Sequence, residues 1–125
     1  MRKGKIAAQA AHASNAVLLD LILENTVWKE AHPDGWMKAG YIWKSKELCI
    51  KEWLTGKFTK ICVSVNSKAD LFLLYDEAFN AGIPCSLIAD SGLTEFHGVE
   101  TETCIAIGPW WGDEIDKITG DLPLL

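Results

Sequence analysis

The apolar positions at the start of the chain follow a helical pattern. An alanine-rich stretch, Lys3 to Ser14, continues through Val17, Leu18, Leu19, Leu21 and Ile22 and ends near Asn25. Alanine is the best helix former, and its small side chain lets a helix lie close against a sheet. Lys5, Gln9 and His12 interrupt this smooth surface. At spacings of four and three residues they fall on one side of a helix, as a polar stripe facing a cleft would. Taken singly, each has a plainer role: Lys5 as a snorkelling lysine, Gln9 as a cap on a neighbour, His12 as a hydrogen-bonded core histidine.

From Thr26 to Ser45 the pattern breaks down. This stretch holds Pro33, Gly35, Gly40, Trp28, Trp36 and Trp43 and predicts no definite element. Its tryptophans suit packing over a core edge. The run Trp36, Lys38, Tyr41, Trp43, Lys44, Lys46 also suits stacking on unpaired bases. Helical spacing returns from Lys46 to Leu54, with Gly56 as its C-terminal cap.

Thr59 to Val65 is β-branched and bounded by Asn66-Ser67, which predicts a strand. Ser67 and Asp70 then open a helix in the manner of a capping box, with Leu71, Leu74, Tyr75, Ala78 and Phe79 on its buried side and Gly82 closing it. After Pro84, Cys85 to Ala89 reads as a short buried strand, parallel to the preceding one in a right-handed βαβ unit. Asp90-Ser91-Gly92-Leu93-Thr94-Glu95 follows that strand, where open α/β sheets present ligand-binding groups. Phe96 to Thr101 turns, Thr103 to Ile107 forms another strand, Gly108-Pro109 breaks it, and Asp113 to Thr119 is a last short helix.

A chain of 125 residues is one domain, long enough to bury a core without metal or disulfide staples. No apolar run approaches the ~20 residues that span a bilayer, and no signal-peptide pattern opens the chain, which predicts a cytoplasmic protein without a membrane partner. Cys49, Cys62, Cys85 and Cys104 form no Cys-x-x-Cys pair, and three sit in apolar strand-like runs, as buried reduced thiols do. The net charge of -5 is divided unevenly: residues 1–60 carry +4 and residues 61–125 carry -9. A basic region on an acidic chain is compatible with local contact to phosphates, though with little long-range steering.

Lys3, Gly4 and Lys5 stand at the start of the first helix, with Gly4 expected just before it. Unpaired N–H groups and the helix dipole favour an anion at such a place. Asp90 has the alternative role of a turn-forming aspartate. Ser91 lacks the strand-to-helix elbow of a serine nucleophile, and no second acid is placed to orient His12.

Three segments together resemble the type-two (archaeal and eukaryotic-type) peptidyl-tRNA hydrolase family: Lys-Gly-Lys-Ile-Ala-Ala-Gln-Ala-Ala-His-Ala-Ser at 3–14, Ser-Leu-Ile-Ala-Asp-Ser-Gly-Leu-Thr-Glu at 86–95, and Thr-Glu-Thr-Cys-Ile-Ala-Ile-Gly-Pro at 101–109. The ending Ile115-Asp116-Lys117-Ile118-Thr119-Gly120 before a leucine-rich tail matches as well. The resemblance implies a three-layer α/β/α sandwich around a small mixed sheet, often a homodimer in the family, forming a single domain over 1–125. It implies hydrolysis of the ester joining a peptide or N-blocked amino acid to the 3' ribose of tRNA, with no metal or organic cofactor.

Carried over by motif, Lys5, His12, Asp90 and Thr94 are the expected catalytic residues, and Lys3, Gly4, Gln9, Gly92 and Thr103 the expected substrate contacts. Where the family reads Asp-Ala-Gly-Arg-Thr-Gln, this chain has Ser91, Leu93 and Glu95. Residues 26–57 form a Trp-rich insertion relative to the family core. The family's opening strand, ahead of Lys-Gly-Lys, is expected to be missing, as in a truncated or mis-started reading frame.

Ester hydrolysis needs an activated water, a stabilised oxyanion and a proton for the ribose oxygen. Asp90, alone or with His12, is the expected base. Lys5 would meet the oxyanion or terminal phosphate, and Thr94 and the Gly92 backbone would add hydrogen bonds. The alternative is a non-catalytic RNA- or protein-binding module on the same fold.

Overall fold

The computed structural model describes residues 2–31, 37–41, 48–90 and 101–125. Helix α1 runs Lys3–Asn25, strands β1 Thr26–Ala31 and β2 Met37–Tyr41, helices α2 Leu48–Thr55 and α3 Lys68–Asn80, strands β3 Cys85–Asp90 and β4 Thr101–Ile107, and helix α4 Gly112–Thr119. Helices and strands together make a small α/β fold.

The first helix forms and stops where its pattern says. Ala13, Val17 and Leu21, four residues apart, are its buried stripe. Val17 and Leu21 meet Cys49 and Ile50 of α2 in one apolar cluster, against which Ala106 of β4 and Trp110 pack. At Gly56, which follows α2, a Cβ would come within 2.7 Å of the Glu52 carbonyl oxygen, so the expected glycine cap is required by space. Ser67 caps α3 as expected, its hydroxyl accepting from the Asp70 N–H at 3.1 Å.

β3 and β4 form an antiparallel pair, Cys85 opposite Ile107 and Asp90 opposite Thr101, with a bulge between Ile88 and Ala89. Both α1 and α3 pack against this pair. β4 ends at Gly108, as the sequence predicts. Its φ is +93°, and a Cβ there would meet Ile115 Cδ1 at 2.9 Å.

Two expectations change. Thr59–Val65 does not form a strand, and β3 has an antiparallel rather than a parallel neighbour, so the right-handed βαβ unit is absent among the described residues. The extended segment takes partners from the chain's end instead. Val63 bridges Leu124, the Ser64 N–H donates to Pro123 O, and the Leu125 N–H donates to Cys62 O, both at 3.0 Å. A β-branched run has the propensity for a strand, but a ladder needs a neighbour along its length, and this one finds only a three-residue partner. In the other direction, β1 and β2 in the unassigned Trp-rich stretch pair as an antiparallel hairpin, Thr26 opposite Tyr41.

All four cysteines are free thiols. Burial pushes the thiols of Cys49, Cys85 and Cys104 up from their ordinary pKa. They therefore stay protonated and unreactive near neutral pH, since the thiolate is the nucleophile. Cys62 is exposed. Iodoacetamide at pH 7.5 should add one carbamidomethyl group quickly, at Cys62, and three more only in denaturant; rapid multiple labelling of the native protein would contradict this packing.

Candidate functional site

The expected site residues come from the first helix and from the β3–β4 end of the sheet, and the hydrogen bonds between α1 and the strands set their relative level. Thr103 Oγ1 donates to Gln9 Oε1 at 2.7 Å, and Cys104 Sγ donates to the Gln9 carbonyl at 3.3 Å. Further along α1, Asp20 Oδ2 accepts from Ser86 Oγ at 3.1 Å. The later half of α1 therefore lies by the Ser86–Ala106 end of the ladder, and its first turns by the Asp90–Thr101 end. Lys5 is one turn N-terminal of Gln9, a rise of about 6 Å in the direction in which the ladder runs toward Asp90. The structure thus brings Lys5 and the backbone of Asp90 to the same end of the α1–sheet layer.

Gln9 and Thr103, both expected to touch substrate, touch each other. Both are half-buried, and their bond satisfies two polar groups at the helix–strand seam while fixing the height of α1 on β4. His12 lies on a different side. It is exposed and lines an open depression with Asn15, Ala16 and Leu19, all on α1. A turn of 100° per residue separates Gln9 from His12 by about 60°, enough for one to face the strand and the other the solvent. The polar stripe is therefore split between seam and surface.

Lys3, Gly4 and Lys5 form the first turn of α1, so Gly4 is inside the helix rather than just before it. The Ile6 N–H bonds to Arg2 O at 3.0 Å, and the turn containing Gly4 faces out of the helix end, where the dipole favours negative charge. A Cβ on Gly4 would meet nothing within 4 Å, so no packing within the described chain demands a glycine here. Gly92 and Thr94, with Ser91, Leu93 and Glu95, lie outside the described residues, as do Trp36, Trp43, Lys44 and Lys46.

One contact at this end had no sequence signal. Lys68 Nζ at the start of α3 pairs with Glu102 Oε2 at 2.8 Å, and Glu102 stands opposite Ala89 in the ladder. The lysine's hydrogen bond holds the Glu102 carboxyl below the ordinary carboxylate range. Glu102 is thus an anion with its own partner, and the pair ties α3 to the strand end that carries Asp90.

The family model described as peptidyl-tRNA hydrolase PTH2 matches residues 1–125. The chain is similar to proteins named peptidyl-tRNA hydrolase from several archaea. The one from Sulfurisphaera tokodaii is 40% identical over 126 residues, spanning 100% of this chain and 88% of that protein. That from Methanocaldococcus jannaschii is 37% identical over 125 residues, spanning 100% of this chain and 90% of the relative. That from Methanopyrus kandleri is 34% identical over 125 residues, spanning 100% and 88%.

Proposed function

The chain belongs to the peptidyl-tRNA hydrolase PTH2 family, and we propose that it hydrolyses the ester between a peptide and the 3' ribose of tRNA at the Asp90–Thr101 end of its sheet. It is a carboxylic ester hydrolase acting in the cytoplasm, where tRNA is charged and used. The observation that supports the site is the level at which α1 is pinned: the Gln9–Thr103 bond directs the helix's first turn toward the Asp90–Thr101 end of the ladder.

Chemically, the arrangement pairs a cationic helix end with a carboxylate. Asp90 takes a proton from water, which attacks the ester carbonyl. The Lys5 ammonium, with the positive end of the α1 dipole, stabilises the oxyanion as it develops. The proton that Asp90 takes from the water is then returned to the ribose oxygen as it leaves. Thr94 and the Gly92 backbone donate hydrogen bonds to the same centre. Lys3 and the open space at Gly4 suit the terminal phosphate, and Gln9 and Thr103 hold the helix in register beneath it. No described helix is long and apolar enough to cross a membrane.

The test is release of a labelled peptide from peptidyl-tRNA. The intact chain is expected to release it, and Lys5→Ala to do so about a hundredfold to a thousandfold more slowly, as loss of one oxyanion-stabilising group does. An intact chain that releases nothing overturns the hydrolase. A Lys5→Ala variant as fast as the parent overturns the role of Lys5.

A further inference from the structure

Beyond the catalytic end, the turn after α2 displays an aromatic and cationic cluster. The Trp53 and Phe58 rings stack with centroids 4.3 Å apart, and Lys60 Nζ lies 3.1 Å from the Phe58 centroid and 5.1 Å from that of Trp53. Trp53 Nε1 donates to Thr59 O at 2.6 Å, and Lys60 Nζ to Phe58 O at 3.1 Å, so the turn is braced on both sides. Its base is rigid, because Cys49 and Ile50 of α2 are in the apolar cluster with α1.

Two features set this turn apart. Phe58 leaves 41% of its surface in solvent, and its φ is +55°. A bulky residue in the left-handed region is an outlier that glycine would relieve, and such strain persists where the display of a particular side chain matters. The charge around it is also the reverse of the chain's. Lys51, Lys57 and Lys60 are exposed, and residues 51–60 hold a single acid, Glu52, on a chain with net charge -5.

We propose that the Trp53–Phe58 stack with Lys57 and Lys60 is a second contact for the tRNA part of the substrate, Phe58 stacking on an unpaired base while the lysines meet the adjoining phosphates. This rests on the reading of the chain as a peptidyl-tRNA hydrolase, which supplies a partner with both groups. Base faces stack on aromatic rings without regard to sequence, and lysines track the backbone, which suits an enzyme that must accept many tRNAs. A duplex offers phosphates but no free base face, so the ring selects an unpaired nucleotide.

The decisive experiment measures binding of deacylated tRNA to the full chain and to Phe58→Gly and Lys57→Gln, with thermal melting of each. Phe58→Gly is expected to weaken binding about fivefold or more, the effect of losing one stacked base, while melting within a few degrees of the parent, because relief of the positive φ offsets part of the lost contact with Trp53. Lys57→Gln should reduce the slope of log K against log salt by about 0.7, the share of one phosphate contact. If Phe58→Gly melts earlier than that, Lys57→Gln decides alone, since its exposed side chain bears on binding and not on the stack. Unchanged tRNA affinity in Lys57→Gln together with unchanged affinity in a folded Phe58→Gly overturns the proposal. Peptide release by the intact chain is scored separately. Failure there ends the hydrolase reading, whereas tRNA binding insensitive to these substitutions ends only the platform.

Discussion

Asp90→Asn is expected to lower peptidyl-tRNA hydrolysis by about two to four orders of magnitude, the contribution of a positioned general base. The amide matches the carboxylate in shape and still accepts a hydrogen bond, but it cannot take a proton from water at neutral pH. Folding should be little affected, because the residue is the last of β3 and its ladder position opposite Thr101 is a backbone matter. The loss should therefore fall on kcat and kcat/KM together, as expected of an interaction made only in the transition state. Single-turnover release from peptidyl-tRNA at saturating enzyme, with the melting midpoint as control, measures it. Activity within threefold of the parent would remove Asp90 as the base and leave His12 as the group that activates the water.

Much of this arrangement is legible in the sequence where local chemistry and burial agree. α1 ends at Asn25, where its apolar run ends, α3 starts behind its serine cap, and β4 stops at Gly108. In each case a residue with one strong local preference marks the boundary. The segment Thr59–Val65 shows the limit of that logic, since β-branched residues specify extended backbone and not the partner that would turn it into a ladder. The β1–β2 hairpin was hidden by its tryptophans, although Asp34-Gly35 between the two strands is a hairpin-turn signal that could have found it.

At the site, the spacing of Lys5, Gln9 and His12 correctly shows neighbouring positions on α1. It does not show that the helix turns Gln9 into the strand and His12 into solvent, which depends on where β4 lies. The Phe58 turn gives no sequence signal, because its left-handed backbone occurs at a residue that ordinarily avoids it.

Stability should be most sensitive at Ile50, and with it the placement of the catalytic helix. Ile50 is 1% exposed and contacts a cluster in which Val17 and Leu21 of α1 are 3% and 9% exposed. Ile50→Ala removes apolar contact and leaves a cavity that the surrounding helices fill only in part, a cost of about 2–5 kcal/mol. A domain of this size is stable by about 5–15 kcal/mol in total, so the loss is a large fraction of the whole. Each kcal/mol shifts the midpoint of such a chain by roughly 2–8 °C, so Ile50→Ala should melt about 10 °C or more below the parent. Ile50→Val, which deletes one methyl group, should cost only about 0.5–1.5 kcal/mol. Ile50 lies away from the Asp90 end, so the activity of Ile50→Ala per folded molecule should stay near the parent's well below the transition and fall with the folded fraction above it. Thermal melts read by circular dichroism, paired with peptide release at each temperature, follow both quantities. An Ile50→Ala midpoint within two degrees of the parent's would show that α2 does not anchor α1, and the height at which Lys5 is held would then rest on the contacts of α1 with the sheet, the Gln9–Thr103, Cys104–Gln9 and Ser86–Asp20 hydrogen bonds among them.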